Sequence, residues 1–464
     1  MALSGLEIYK LLPGGLKPPH PKANCKECGY PTCLAFAMKL AAKQAELSLC
    51  KYVSEEAKGK LEASAAPPIR LVALSAGNRK VQAGNEIVLF RHEKAFFNRA
   101  GLFVRVKDTL PAGEAKALID QVAAYVVDYV GIELRVDGLA VEAASGDAGK
   151  FAEMVKLAAS ARLPLILIAH EPALMEAGLS AAAPIVPLLY AADESNCQAM
   201  VELAKAKKAP LALTHRAAAA EGKGDLQALA NLADQVKNAG LQDLVLDPGA
   251  RGFADNLQAA TQMRRLAIKA NQRACGFPLI TFPGEGPNPS LEGALASQHI
   301  AKYGGFVVLD HFSPALVYPL LVLRQNIYTD PQKPVQVQPG IYEINGPKPE
   351  SPVFLTTNFS ITYFAVKNEV EGSGIPAWLV IADAEGMSVL TAWAAGKFDA
   401  DKIVKTVKTT GLEGKISHKK IVIPGAVAVL SGEVEGELPG WQIMVGPREA
   451  VDIPSYYKNV WSKS

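Results

Sequence analysis

The sequence predicts an α/β protein in three parts: a small N-terminal domain built on four cysteines, a central (β/α)8 barrel, and a C-terminal Rossmann-like sheet. Three observations predict it. Four of the six cysteines fall between residues 25 and 50. From Leu71 to Leu323, short apolar strands alternate with amphipathic helices. After a break at Thr329 to Gly340 the alternation resumes with a shorter count. A chain of 464 residues exceeds one ordinary domain, and its 49% apolar content can fill several cores. The boundaries read as 1–61, a linker at 62–70, 71–328 and 329–464.

The first part carries Cys25, Cys28, Cys33 and Cys50, spaced C-x2-C-x4-C-x16-C. Four thiolates in that order suit a [4Fe–4S] cluster. Zinc sites also use C-x2-C, but usually as two paired knuckles, whereas Cys33 and Cys50 stand alone. Iron–sulfur leads, zinc follows and a disulfide trails both. Leu34 to Leu49 reads as a helix with Leu34, Met38, Ala41 and Ala45 on one face. A straight helix would hold Cys33 and Cys50 about 25 Å apart. The helix must therefore stop short and the chain fold back, around Leu47 to Leu49. Gly29 and Pro31 keep the first turn open, so that N–H groups can point at sulfur.

The stretch Glu62 to Arg70 is small, Pro-bearing and poor in large apolar residues, and reads as the linker. Beyond it the expected barrel strands are LFVRV at Leu102, VGIELRV at Val130, PLILIAH at Pro164 and PIVPLLY at Pro184. They continue with PLALTH at Pro210, LVLDPG at Leu244, PLITFPG at Pro278 and FVVLDH at Phe306. Eight strands over about 250 residues match a (β/α)8 barrel, with a doubly wound open sheet as the alternative. At the strand C-terminal ends stand His170-Glu171, His215-Arg216, Asp247, Glu285 and Asp310-His311. They read as a metal or acid–base set, or, more simply, as helix caps and loop anchors, since no HExxH-like spacing appears. GEGPNP at Gly284 looks like a phosphate loop, but its prolines remove N–H donors.

In the last part the expected strands are Val353 to Thr357, Trp378 to Ala382, Lys420 to Ile423 and Gln442 to Val445. Helices are expected at Phe359 to Val370, Val389 to Ala395, Lys402 to Thr409, Ala426 to Leu430 and from Arg448. The loops TTNFS, AEGMSVL, PGA and VGPREA then lie at one sheet edge and form a binding crevice. GxGxxG is absent, so a dinucleotide is disfavoured. A corrinoid is a candidate, yet the DxHxxG pattern that supplies a cobalt ligand is also absent, and the one histidine here, His418, sits in a KISHKK loop.

Net charge is +2, and no basic run with interleaved aromatics points to nucleic acid. No signal-peptide core and no 18-residue apolar run suggest export or a membrane span. Cys197 and Cys275 read as free core thiols. The cysteine usage fits a reducing cytoplasm, and a low-potential cluster would fit an anaerobe.

Several segments carry a resemblance: GLEIYKLLP with CKECGYPTCLAFAMKLA, LVLDPGAR with TQMRRLAIK, RQNIYTDPQ, TTNFSITYFAV, GMSVLTAWAAGKF, and IPGAVAVL with GWQIMVGPREA. In these the chain resembles the large (gamma) subunits of corrinoid iron–sulfur proteins, methyl carriers of the reductive acetyl-CoA pathway. GGLKPPHP, Gly14 to Pro21, departs from the pattern as an insertion before Cys25. The resemblance implies that Cys25, Cys28, Cys33 and Cys50 ligate a [4Fe–4S] cluster. It implies a base-off corrinoid, with no protein histidine on cobalt, lined by Thr357, Tyr363, Gly386, Met387, Ser388, Val389, Leu390, Thr391, Gly446 and Ala450. Thr391 would lie beneath the cobalt, its hydroxyl facing the crevice. The partners implied are a small subunit in a heterodimer, a methyl-tetrahydrofolate methyltransferase, acetyl-CoA synthase with its nickel centre, and a donor such as ferredoxin. The cobalt would accept and deliver a methyl group, with the cluster returning stray Co(II) to Co(I). Two rivals stand beside this: a barrel that itself catalyses methyl transfer from a methyl-pterin, and an electron-transfer protein without corrinoid.

Overall fold

The structure is a computed structural model that describes residues 3–41, 45–65, 67–215, 225–284, 288–330 and 335–464. The chain divides into two compact units, Met1–Tyr125 with Val136–Tyr328, and Val126–Arg135 with Thr329–Ser464. Among the described residues no helix is long and apolar enough to cross a membrane.

The first unit begins with a helical lobe. Helix Gly5–Leu11 is started by a capping box in which Ser4 and Glu7 satisfy each other's backbone donors. Helices Cys33–Ala41 and Glu55–Ala65 pack on it around Ile8, Leu12, Phe36, Ala37, Val53 and Leu61. The long helix expected over Leu34 to Leu49 ends at Ala41, and Leu47–Leu49 is a 3-10 turn that brings the chain back to Cys50. The stretch read as a linker, Glu62 to Arg70, is corrected. Its first residues continue the helix to Ala65, because Ala and Glu are good helix formers. Its last residues are held to the barrel. The Arg273 guanidinium donates to Pro67 O (3.0 Å), Arg70 N donates to Gly276 O (2.9 Å), and Arg70 pairs with Asp243.

An antiparallel hairpin follows, β1 (Val72–Ala76) with β2 (Arg79–Ala83). Its Val72, Leu74 and Val81 join the barrel-interior core beside Phe103 and Phe306. Gly101, the first residue of the next strand, faces Val81, so the hairpin plugs the N-terminal end of the barrel. The closed parallel barrel itself comprises β3 (Gly101–Lys107), β6 (Gly138–Glu142), β7 (Leu165–Ile168), β8 (Leu188–Ala192), β9 (Leu211–Thr214), β10 (Leu244–Asp247), β11 (Leu279–Thr281) and β12 (Gly304–Leu309). Seven of these contain the expected strands.

The eighth expectation is corrected. VGIELRV at Val130 belongs to a hairpin of β4 (Val126–Tyr129) and β5 (Ile132–Arg135) that lies in the second unit. The two-residue turn Val130-Gly131 has positive φ at both positions (52° and 81°), which suits a hairpin. The true second barrel strand is GLAVE, almost wholly buried, as parallel strands covered on both faces must be.

In the second unit a five-stranded sheet runs β13 (Gly340–Ile344), β15 (Ala377–Ala382), β14 (Val353–Thr357), β16 (Lys420–Ile423), β17 (Gln442–Val445). Only β13, unforeseen in the sequence, is antiparallel. Helices Ser360–Gly372 and Ile453–Asn459 cover one face, with Tyr363, Val370 and Ile453 in that core. Val389–Ala394, Ala400–Thr409 and Ser431–Glu437 cover the other with Ala392, Ile403, Val407 and Val434. The helix expected at Ala426 is a 3-10 segment, Gly425–Leu430, leading into the α-helix. From β14 the chain crosses to β15 on one side, then returns to β16 on the other. The order reverses between β14 and β16, which is where such sheets bind ligands.

Candidate functional site

A cleft of about 340 Å3 opens beyond the C-terminal ends of β14, β16 and β17. Its lining includes Thr356, Ser388, Leu390, Pro424, Arg448 and Ala450, one or more from each of the four loops named in the sequence. The hydroxyls of Thr356 and Thr357 are buried and have no hydrogen-bond partner among the described residues. Leaving such a group unmet costs about 1–3 kcal/mol, and Thr356, which lines the cleft, can offer its hydroxyl to a polar ligand. Two apolar lining residues are uncovered, Ile361 at 69% and Leu390 at 55% exposed, and Val429 (72%) and Val451 (66%) are exposed in the segments that follow β16 and β17. Each stands in the first turn or two after a strand end. A floor with hydrogen-bonding groups and a broad apolar rim suits a large flat amphiphile, and a corrin macrocycle fits that description.

Of the residues expected at a corrinoid, the cleft gathers Ser388, Val389, Leu390, Gly446 and Ala450. Thr357 lies fully buried one residue beyond Thr356. Four other expected residues also stand outside the lining. Tyr363 is a core residue, 3% exposed, stacked edge-on against Tyr342 and Phe364, and burial pushes its phenol well up. Gly386 and Met387 do not line the cleft; Gly386 turns the backbone at φ 74°, and Met387 packs on the core beneath. Thr391 is exposed and outside the lining, its hydroxyl 2.9 Å from that of Ser388, which is the N-cap residue. The i, i+3 spacing turns Thr391 toward its own cap.

Asn358 is the residue that sequence reasoning missed. It is 1% exposed, and its Oδ1 accepts from Ala384 N and Gly386 N, both at 2.9 Å. Its Nδ2 donates to Gln336 Oε1 and Asp383 Oδ1. One side chain thus pins the loop after β15 to the end of β14. The available signal was an Asn directly after a buried strand, followed by a helix. Gly446 is required sterically, since a Cβ there would lie 2.7 Å from Val422 Cγ1. The backbones of the last two loops meet, with Gly425 N donating to Pro447 O and Gly446 N to Ile423 O. Among the described residues the lining holds no histidine. His418 sits at the opposite, N-terminal edge of the sheet, bonded to Ser351 O and packed on Trp461.

The four N-terminal thiols share one lobe. Cys33 and Cys50 are buried at 8% exposure, while Cys25 and Cys28 are half-buried. Burial raises the Cys50 thiol, against a backbone hydrogen bond from Tyr52 that lowers it, and Cys28, Cys33 and Cys25 push it further up. Asn24 N donates to Cys33 Sγ (3.3 Å), and Asn24 Oδ1 accepts from Cys33 N (2.8 Å). Positive φ at Asn24, Lys26 and Gly29 curls the loop around the thiols. Among the described residues no three His, Cys, Asp or Glu are gathered for a single ion. Four cysteine thiols in one lobe are a donor set that an iron–sulfur cluster accepts. Gly14, from the segment read as an insertion, packs on Cys33: a Cβ there would lie 2.8 Å from Cys33 Cβ.

At the barrel's C-terminal end the charged groups engage one another. Asp247 is fully buried, accepts from Tyr190 (2.6 Å) and from both Arg251 Nη atoms (2.9 and 2.8 Å). Burial would raise its pKa, but Arg251 and these hydrogen bonds outweigh that and lower it. Arg105 pairs with Glu142 and with Asp310, whose carboxyl burial pushes up. His311 meets Glu292 (2.5 Å), His170 meets Asn196, and His215 meets Glu194. Glu171 precedes the helix Pro172–Ala181. Arg216 and Glu285 lie outside the described residues, as does part of the GEGPNP loop.

Residues 71–457 match the family described as "CO dehydrogenase/acetyl-CoA synthase delta subunit", and residues 21–52 the family described as "Putative Fe-S cluster". The corrinoid/iron-sulfur protein large subunit of Moorella thermoacetica is 43% identical over 98% of this chain and 98% of its own length. The chain belongs to this family. Acetyl-CoA decarbonylase/synthase complex gamma subunits are also similar: that of Archaeoglobus fulgidus is 36% identical and that of Methanosarcina acetivorans 34%, each over 99% of this chain and 98% of the relative. The family description speaks of a delta subunit, whereas these near-full-length relatives are large or gamma subunits, in agreement with the motifs.

Proposed function

We propose that this chain is a methyl carrier: the large subunit of a corrinoid iron–sulfur protein, with a [4Fe–4S] lobe, a barrel and a Rossmann-like corrinoid-binding domain. It takes a methyl group from methyl-tetrahydrofolate through a separate methyltransferase and passes it to the nickel centre of acetyl-CoA synthase. The observation that carries this reading is the cleft at the strand-order reversal, lined by the buried Thr356 hydroxyl, which has no partner among the described residues, and by the exposed apolar side chains of Ile361 and Leu390. When bound, the corrinoid supplies a nucleophilic cobalt for methyl transfer and the cluster supplies single electrons to keep it reduced. The chain's own residues bind and orient. Thr356 and Thr357 offer hydrogen bonds to the corrin periphery, Leu390, Val429 and Val451 cover its apolar face, and Cys25, Cys28, Cys33 and Cys50 hold the cluster. In this reading the corrinoid is base-off, and among the described residues the lining offers no histidine to stand in for the base, while Ser388 is part of that lining. A small subunit, the methyltransferase, acetyl-CoA synthase and a ferredoxin-like donor are the partners, in the cytoplasm of an anaerobe.

The test is stoichiometric methylation of the anaerobically purified, chemically reduced chain by methyl-tetrahydrofolate, with and without methyltransferase. Methylation only in the presence of methyltransferase is expected. Methylation by the chain alone would give the barrel a catalytic role, and none under either condition would overturn the carrier reading. Cys25→Ala is expected to spare this methylation and abolish reactivation of oxidised protein by a biological donor.

A further inference from the structure

The four thiols stand on three separate stretches of chain. Cys25 and Cys28 share the first loop, Cys33 heads the helix Cys33–Ala41, and Cys50 follows the 3-10 turn Leu47–Leu49. Two side-chain clamps tie the first loop to each of the other stretches. Asn24, directly before Cys25, holds the second. Its N donates to Cys33 Sγ (3.3 Å) and its Oδ1 accepts from Cys33 N (2.8 Å). Its φ of 54° is left-handed, a conformation that asparagine adopts more readily than most side chains. Glu27, between Cys25 and Cys28, holds the third stretch: Tyr52 Oη, two residues past Cys50, lies 2.9 Å from both of its carboxylate oxygens and donates to them. Lys22 backs this contact from the same loop, its Nζ 3.6 Å from Glu27 Oε1 and 5.6 Å from the centre of the Tyr52 ring.

We propose that Asn24 and Tyr52 are positioning residues for the iron–sulfur cluster, holding the three cysteine stretches together so that the iron meets a preformed donor set. The inference deepens the cluster reading above and rests on it. The clamps close loops of 9 and 25 residues, and the entropy lost in closing them is then not charged against cluster binding. A sulfur bound to iron still accepts an N–H, so the Asn24 amide also acts on the cluster itself: it favours the more negative, reduced state and sets its potential.

The test uses the full-length, cluster-loaded protein under anaerobic conditions. Iron content, the rate of iron loss to a chelator and the cluster midpoint potential are measured on each sample. Asn24→Gly keeps the positive φ but deletes the acceptor for Cys33 N, and is expected to lose iron about tenfold faster. Tyr52→Phe keeps the ring but not the hydroxyl, and should lose iron about threefold faster, because its hydrogen bond is more exposed. Glu27→Gln still offers an acceptor to Tyr52 and should behave as the parent does. Asn24→Asp keeps the oxygen that faces Cys33 N and adds a negative charge beside the cluster. It should retain iron like the parent while its midpoint potential moves more negative, a shift that a merely structural asparagine would not give. Parental rates of iron loss in both Asn24→Gly and Tyr52→Phe, or an unchanged potential in Asn24→Asp, would overturn the positioning role. Should Asn24→Gly fail to fold, Tyr52→Phe and Asn24→Asp decide by themselves. A folded parent chain that binds no iron would overturn the cluster reading itself, whereas a loaded parent whose variants all match it overturns only the clamps.

Discussion

The barrel and the C-terminal sheet both present polar residues at the C-terminal ends of parallel strands, yet the surroundings of those residues differ. In the barrel, charges are matched internally: Asp247 by Arg251 and Tyr190, Arg105 by Glu142 and Asp310, Glu292 by His311. In the sheet, the Thr356 hydroxyl has no partner among the described residues and lines an open cleft, where Ile361 and Leu390 are uncovered. Thr214 and Thr281, at the ends of β9 and β11, are also buried without a hydrogen-bond partner among the described residues, so an unmet hydroxyl alone does not mark a site; what marks the sheet is that Thr356 lines a cleft bordered by uncovered apolar side chains. Position in the fold alone therefore does not identify where a ligand binds.

The strongest way to break that comparison is Asp247→Ala. It strands a largely buried guanidinium and a tyrosine hydroxyl, and a loss of about 3–5 kcal/mol is expected from urea unfolding. Cofactor content per folded chain should not change. Because the folded-state pKa of Asp247 is depressed, its contribution is present above the unfolded value and lost as pH falls below about 4. Asp247→Asn should accordingly flatten the acid limb of the stability profile. If either variant instead folded as stably as the parent but lost methyl transfer, the barrel end would be a site after all.

Asn358→Ala addresses the sheet. Two backbone donors lose their acceptor, so about 2–3 kcal/mol of stability should go, with weaker corrinoid retention because the Asp383 to Met387 loop is released. The smallest effect sharpens the contrast most. Thr356→Val removes a hydroxyl that has no partner in the protein alone, so the cofactor-free chain should be as stable or slightly more so. Corrinoid retention should still fall about tenfold, or about 1.4 kcal/mol. A cofactor-free chain destabilised by Thr356→Val would mean that the hydroxyl is structural.

The legible parts of the molecule were those whose burial leaves a continuous apolar run. VFLTT, KIVI and QIMV match their strands end for end, because each is enclosed on both faces and bounded by Pro, Gly or polar residues. The Val126–Arg135 hairpin was misread because β-branched residues on a half-exposed ribbon look like a barrel strand when taken singly. The cluster cysteines were legible because their chemistry lies in their spacing. Asn358 was not, because its importance depends on which loop folds over it, a contact 26 residues away. Tyr363 and Thr391 show the same limit from the other side: belonging to a site-forming segment does not decide which way a side chain turns.

The most direct measurement is iron and cobalt analysis of the anaerobically purified chain, with the Co(II) EPR spectrum of the same sample. The account expects cobalt equimolar with the chain, iron in the ratio of a four-iron cluster, and no nitrogen hyperfine splitting, since among the described residues no histidine lines the cleft. A correctly folded chain without cobalt, or a Co(II) signal split by an axial nitrogen from the protein, would contradict it.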